Sequence, residues 1–240
     1  MGITKITKAV VLAGGLGTRM RYLTKDEIPK ALVNLKGRTI TGTVVSNLRE
    51  MGIKEVVLAI SHHSSMVQRY FGEGSKFGVK ISYLIENVPL GTGGWINLAD
   101  KKQFKEPFMV LNGDDLLMLG KEGLSEFLDL HKKNNAAVSI ALMETGNISE
   151  KGVADLKGCM IRRFVEKPKP EEAPSNLVST GNYIFEPEVL SIMPDKEKIS
   201  LEKDVFPLLA SKGRLCGFNL KAKWYSIGSK DEYNKAVKEL

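Results

Sequence analysis

Near the start of the chain, three glycines and two cations stand close together. Val10-Val11-Leu12-Ala13-Gly14-Gly15-Leu16-Gly17-Thr18-Arg19 runs from an apolar stretch through a glycine-rich loop to an arginine, and Pro29-Lys30 lies a little downstream. Glycine lets the backbone take positive φ and brings its N–H groups close to an anion. Arg19 and Lys30 bring two full positive charges to the same loop. A strand, a glycine loop and paired cations are suited to holding a triphosphate.

Two other glycine-loop chemistries do not fit. A dinucleotide fingerprint beginning at Gly15 needs a small residue where Met20 stands, and no acidic residue marks the end of a second strand in the expected manner. A P-loop ends in Gly-Lys-Ser/Thr, whereas these glycines lead into Thr18-Arg19. A second candidate is Asn112-Gly113-Asp114, which follows the apolar run Phe108–Leu111. A carboxylate at a strand's carboxyl end, beside a phosphate loop, suits Mg²⁺, a hard cation that prefers oxygen ligands. Asp114 is favoured for this, with the adjacent Asp115 expected to point elsewhere. His62-His63 is read as a strand-to-helix junction, because adjacent residues of a strand face opposite sides and no third ligand is at hand.

Composition narrows the partners. The chain has 240 residues, 42% hydrophobic and 26% charged, with a formal charge of +7. That length can bury one substantial core, and the positive balance favours an anionic partner. No stretch interleaves aromatics with cations, so phosphorylated small molecules are expected rather than nucleic acid. Cys159 and Cys216 lie far apart in sequence without C-x-x-C spacing, so neither a zinc site nor a disulfide framework is expected, and a reduced, cytoplasmic setting fits. The apolar run after Lys5 and Lys8 is broken by glycines and is not read as a signal peptide, and nothing approaches membrane-spanning length.

The elements that must position these residues alternate. Strands are expected at Ala9–Leu12, Glu55–Ile60, Lys80–Ile85, Phe108–Leu111 and Ala136–Leu142, and helices at Thr39–Met51, Ser64–Phe71, Gly93–Asp100 and Leu124–Asn134. Apolar strands between amphipathic helices imply an α/β fold with a mostly parallel sheet sandwiched by helices. The second half reads as mixed, with strands at Ile161–Val165, Val178–Phe185, Leu215–Leu220 and Lys223–Ser226 and helices at Leu201–Ser211 and Ser229–Leu240. A single domain over 1–240 is expected, about 1–145 binding nucleotide and about 146–240 binding a sugar phosphate. Ligands of such sheets bind at the carboxyl ends of the strands.

Ala13-Gly14-Gly15-x-Gly17-Thr18-Arg19 with Pro29-Lys30 resembles the signature of the sugar-1-phosphate nucleotidylyltransferases, the nucleotide-sugar pyrophosphorylases, and the likeness runs from about residue 8 to residue 236. It implies the nucleotide-diphospho-sugar transferase form of the Rossmann-like fold. The implied reaction joins an NTP and a sugar 1-phosphate into an NDP-sugar, releasing pyrophosphate, with Mg²⁺ as cofactor. On this resemblance Arg19, Lys30 and Asp114 are catalytic, and Asp114 is also the metal ligand. Leu12, Ala13, Gly14, Gly15, Gly17 and Thr18 would bind the nucleotide. Pro89-Leu90-Gly91-Thr92-Gly93-Gly94 resembles the family's base loop, adding Glu86, Gly91 and Thr92. Phe164-Val165-Glu166-Lys167-Pro168 resembles the segment that grips the sugar phosphate, adding Glu166 and Lys167 to Gly152, Thr180 and Gly181.

The Glu86…Pro89-Leu90-Gly91-Thr92 pattern and Leu201–Pro207 look most like guanylyltransferases acting on mannose or heptose 1-phosphate; UTP or dTTP with glucose 1-phosphate is the alternative. Three positions depart from the family: Tyr22 stands in place of a proline, Lys151 in place of a tyrosine, and Ser226 where a second acidic metal ligand is normal. The last departure raises a rival, a regulatory homologue that binds nucleotide sugars without turnover. No hexapeptide-repeat tract is present, so a second, acyltransferase activity is not expected. A homo-oligomer is allowed for, since no motif decides self-association.

Overall fold

The computed structural model describes residues 5–240. Along the chain run β1 (Lys8–Leu12), α1 (Arg21–Thr24), β2 (Asn34–Leu35), β3 (Arg38–Thr39), α2 (Ile40–Glu50), β4 (Glu55–Ile60), α3 (Ser64–Phe71), β5 (Lys80–Ile85), β6 (Phe108–Asn112) and β7 (Asp115–Met118). There follow α4 (Gly120–Lys133), β8 (Val138–Glu144), β9 (Gly152–Lys157), β10 (Met160–Glu166), β11 (Leu177–Phe185), α5 (Phe206–Ser211), β12 (Leu215–Asn219), β13 (Lys223–Ser226) and α6 (Lys230–Glu239). The chain forms two compact units. One comprises residues up to Pro89, then Val110–Glu122 and Ala222–Leu240; the other comprises Leu90–Met109 and Gly123–Lys221. No helix among the described residues is long and apolar enough to cross a membrane.

In the first unit the strands run in the order β5-β4-β1-β6. β1 pairs parallel with β4, Val10 opposite Val57, and β4 pairs parallel with β5, Leu58 opposite Tyr83. Ala9, Val10 and Val11 are all fully buried. Successive strand residues face opposite sides, so burial of all three means that both faces of β1 are covered, as the uninterrupted apolar run predicts. The helix α2 starts where Thr39 accepts from the Gly42 N–H at 3.0 Å, and it buries Ile40, Val44, Val45 and Leu48. β7 and β13 form a separate antiparallel ladder in which Ser226 stands opposite Asp115.

The second unit is mixed, as expected from the sequence. Its order is β11-β8-β12-β10-β9, with β12 parallel to β8 and the β11–β8, β10–β12 and β10–β9 pairs antiparallel. Trp95, Phe104, Phe108 and Phe185 pack together there, with ring centroids 4.5–6.3 Å apart along the cluster.

Several elements differ from the sequence reading. Gly93–Asp100 is not a helix but a 3₁₀ turn over Gly94–Asn97; the glycines favour no helix, and the Gly93 N–H is drawn to the Ile199 carbonyl at 2.8 Å. Leu201–Ser211 divides into a π-helical turn, Leu201–Val205, and α5, because Pro207 has no N–H with which to continue one hydrogen-bond series. His62 and His63 form the junction between β4 and α3, as read from the sequence, but in a turn rather than extended: His63 has φ 56°, and the two rings lie 3.8 Å apart. β7, β9 and the short β2–β3 hairpin were not expected.

Candidate active site

A cavity of about 220 Å³ opens in the first unit at the carboxyl end of β1. Of the residues expected to take the nucleotide, Leu12, Ala13, Gly15, Gly17 and Thr18 line it, together with Arg19, Lys30 and Asp114. Each is placed by a local cause. The Ala13 N–H donates to the Ala59 carbonyl at 2.8 Å, which carries the pairing of β1 with β4 one residue beyond the strand. The loop then turns at Gly17, where φ is +61° and an added Cβ would stand 2.9 Å from the Lys30 Cβ. Only glycine suits both the left-handed backbone and the passage of Lys30. Gly14 is not among the lining residues; its carbonyl accepts from the Ser61 hydroxyl at 2.5 Å.

Lys30 Nζ and Asp114 Oδ2 form an ion pair, with the side chains 14% and 30% exposed. Asp115 turns away, as expected, accepting from Asn112 Nδ2 at 2.9 Å and Trp224 Nε1 at 3.2 Å. The structure adds residues that the sequence reading did not single out. The Thr41 hydroxyl, in the first turn of α2, donates to the Gly113 carbonyl at 2.8 Å, and the Gly113 N–H donates to the Leu12 carbonyl at 2.8 Å. These bonds fix Asp114 against the glycine loop. Gly228 also lines the cavity beside the Arg19 guanidinium, which an added Cβ would meet only at ordinary van der Waals contact, 3.4 Å from Nη2. A threonine inside a helix carries no sequence signal for such a part; Gly228 belongs to the Trp224–Gly228 segment already noted.

A divalent metal fits this donor set only in part. Among the described residues no group of three His, Cys, Asp or Glu could hold one. Asp114 offers one carboxylate, and Ser226 offers no second. Mg²⁺ commonly takes one or two carboxylates and completes its shell with substrate phosphates and water, which a single Asp114 permits.

A second cavity of about 300 Å³ in the same unit is lined by Leu16, Ser61, His62, Glu86, Asn87 and Pro89, among others. Leu16 belongs to the loop whose neighbours Gly15 and Gly17 line the first cavity, so one loop serves both. Glu86 is buried there, at 8% exposure.

The remaining expected residues belong to the second unit. Gly91 has φ +83°, and its missing side chain leaves room for the Ile199 carbonyl. The Thr92 hydroxyl donates to Glu202 Oε2 at 2.6 Å and accepts from the Leu201 N–H at 2.9 Å, which ties this loop to the π-helical turn. Gly152 faces Glu166 across the β9–β10 ladder, and an added Cβ would collide with the Phe164 ring. Lys167 Nζ lies 3.6 Å from Glu166 Oε1. Burial, then the Glu202 carboxylate, push the Glu166 pKa up, while Lys167 and Lys203 oppose them. The Thr180 hydroxyl is fully buried and donates to the Ala141 carbonyl at 2.9 Å. Gly181 sits at φ +68° in the stretch of β11 where the pairing with β8 shifts register.

The chain matches the nucleotidyl transferase family over residues 8–240. It is 32% identical to a mannose-1-phosphate guanylyltransferase of Mycobacterium tuberculosis over 97% of this chain and 64% of that protein. It is 36% identical to a mannose-1-phosphate guanyltransferase of Yarrowia lipolytica over 94% of this chain and 62% of that one. The chain thus spans a little under two thirds of the length of these curated relatives. Among solved structures, HddC of Yersinia pseudotuberculosis complexed with GMP-PN superposes with a TM-score of 0.80 at 26% identity, covering 98% of this chain and 99% of that one. The fold is that of the nucleotide-diphospho-sugar transferases, and the chain belongs to the nucleotidyl transferase family.

Proposed function

We propose that this protein transfers the nucleotidyl group of an NTP to a sugar 1-phosphate, giving an NDP-sugar and pyrophosphate, with GTP and mannose or heptose 1-phosphate preferred. The observation that carries this reading is the convergence of Arg19, Lys30 and Asp114 on one cavity floored by the glycine loop. A sugar phosphate oxygen is already anionic, so attack on the α-phosphorus needs no strong general base. The barrier lies in bringing two anions together and in the charge that gathers on the α-phosphate and on the departing pyrophosphate. Loop N–H groups bind the phosphates, Lys30 leaves Asp114 for the α-phosphate, and Arg19 neutralises the pyrophosphate. Asp114 would hold Mg²⁺, which would supply further neutralisation of phosphate charge. Glu166 accepts from sugar hydroxyls and Lys167 pairs with the sugar phosphate.

Glu86 favours guanine. Guanine presents two adjacent donors, N1–H and the N2 amino group, which match the two oxygens of a carboxylate. Uracil and thymine present one N–H between two carbonyls and would set a carbonyl against the second oxygen. The relatives named as guanylyltransferases support the same choice. A cytoplasmic setting completes the reading.

Pyrophosphate release measured over a grid of NTPs and sugar 1-phosphates with Mg²⁺ tests it. The fastest release is expected with GTP and mannose or heptose 1-phosphate. No release with any pair, together with calorimetric binding of a nucleotide sugar, establishes the non-catalytic rival instead.

A further inference from the structure

Cys159 and Cys216 are separated by 57 residues in sequence, yet their Sγ atoms lie 3.6 Å apart, and neither is in a disulfide. Two features of the second unit bring them together. Gly158 and Cys159 form the two-residue turn between β9 and β10, with Gly158 at φ +63°. β12 then lies beside β10, with Met160 opposite Cys216 and the Gly217 N–H donating to the Cys159 carbonyl at 2.8 Å. The backbone of both thiols is therefore fixed by a ladder, and the two sulfurs face each other across it.

We propose that this pair is an oxidative modification site, closed to an intramolecular disulfide by hydrogen peroxide. The two thiols differ as the chemistry requires. Cys159 is partly exposed, whereas Cys216 is fully buried and burial pushes its pKa up to about 12. Peroxide therefore meets Cys159 first. The Cys159 thiolate attacks one peroxide oxygen, the O–O bond breaks, and a sulfenic acid and hydroxide form. The Cys216 sulfur then attacks the Cys159 sulfur, the S–O bond breaks, and the departing hydroxide takes the Cys216 proton. In all, two thiols and one peroxide give one disulfide and two waters. Closing the gap brings two sulfurs from 3.6 Å to the roughly 2 Å of an S–S bond, a distance within the swing of the two side chains. Cys159 gives up its S–H···Oδ1 contact with Asn134, 2.9 Å long, which ties the turn to the end of α4.

The new bond staples the turn end of the β9–β10 hairpin to β12, while the opposite end of that hairpin carries Gly152 and Glu166. Nothing in the nucleotide-binding cavity takes part, so the proposal stands or falls independently of the catalytic reading.

The full chain is treated with a small excess of peroxide, then alkylated under denaturing conditions and digested. Both thiols are expected to become unreactive together, with one cross-linked peptide joining Cys159 to Cys216, fully reversed by dithiothreitol. The oxidised form is expected to melt at least about 4 °C higher, since the bond closes a long loop. Cys159→Ser is expected to leave Cys216 alkylatable under the same dose. Thiols that remain reactive, that go separately to sulfinic or sulfonic acids, or that link two chains overturn the proposal.

Discussion

Ser226 stands directly across the β7–β13 ladder from Asp115, while the neighbouring Asp114 is ion-paired with Lys30. The position where the family resemblance implies a second acid is thus occupied by a neutral hydroxyl beside an existing buried carboxylate. Ser226→Asp would set two carboxylates opposite each other and is expected to lower stability without metal by up to about 1 kcal/mol. Mg²⁺ is expected to restore the melting temperature and to raise turnover above wild type. Melting curves with and without Mg²⁺, beside rates, check both; a rate unchanged or lowered at saturating Mg²⁺ shows that the missing acid does not limit catalysis.

Gly17 couples the loop to Lys30. Gly17→Ala adds a Cβ 2.9 Å from the Lys30 Cβ at a backbone φ of +61°. The strain is about 1–2 kcal/mol, and relieving it displaces either the loop or Lys30. Turnover is expected to fall at least about 10-fold, more than the modest drop in melting temperature explains, because misplacing a group at a reacting phosphate is costly. Steady-state kinetics with thermal melts distinguish this outcome from simple unfolding.

The proposed preference for guanine rests on Glu86. Replacing it with glutamine keeps the shape of the second cavity but turns one acceptor into a donor, which opposes one of guanine's two N–H groups. The ratio of kcat/KM for GTP to that for UTP is expected to fall by roughly 10- to 100-fold, the scale of losing one matched hydrogen bond and leaving a group unpaired. An unchanged ratio would take Glu86 out of base selection.

Glu166 yields a pH prediction. Its pKa is raised in the folded state, first by burial and then by Glu202. A carboxyl whose folded pKa lies above its unfolded value supports the fold below the unfolded pKa and loses that support as pH rises through the folded one. At pH 7 the ionised group is therefore held against its preference. Glu166→Gln is expected to change the melting temperature more favourably at pH 7 than at pH 4, while weakening sugar 1-phosphate binding. Equal shifts at both pH values contradict this.

Much of the nucleotide side was legible from residue types because local rules act there without help from distant parts. The apolar run Val10–Leu12 could only be a strand covered on both faces, the glycines had to turn, and Asp114 followed a second such run. Less legible was whatever depends on partners remote in sequence. β7 is four residues long, and its pairing with β13, more than a hundred positions away, leaves no periodicity to read. Thr41 acts through the Gly113 carbonyl, and Thr92 through Glu202, neither visible in local pattern. Cys159 and Cys216 gave no spacing signal, since a hairpin turn and a later strand bring them together. Gly93–Asp100 carries apolar residues at helical spacing, yet a hydrogen bond to Ile199 fixes a tighter turn.

The most direct measurement follows the fate of the α-phosphate and the need for Lys30. With GTP labelled at the α-phosphate, mannose 1-phosphate and Mg²⁺, the label is expected in the sugar nucleotide, while the released pyrophosphate stays unlabelled. Lys30→Ala is expected to slow this transfer by about 10²-fold or more, the usual scale for losing a charge aimed at the transition state. Its fold should persist, since Asp114, with 30% of its side chain exposed, keeps access to water once Lys30 is removed. Unlabelled sugar nucleotide from the wild type, or near-normal transfer in Lys30→Ala, contradicts attack at an α-phosphate held by this cavity.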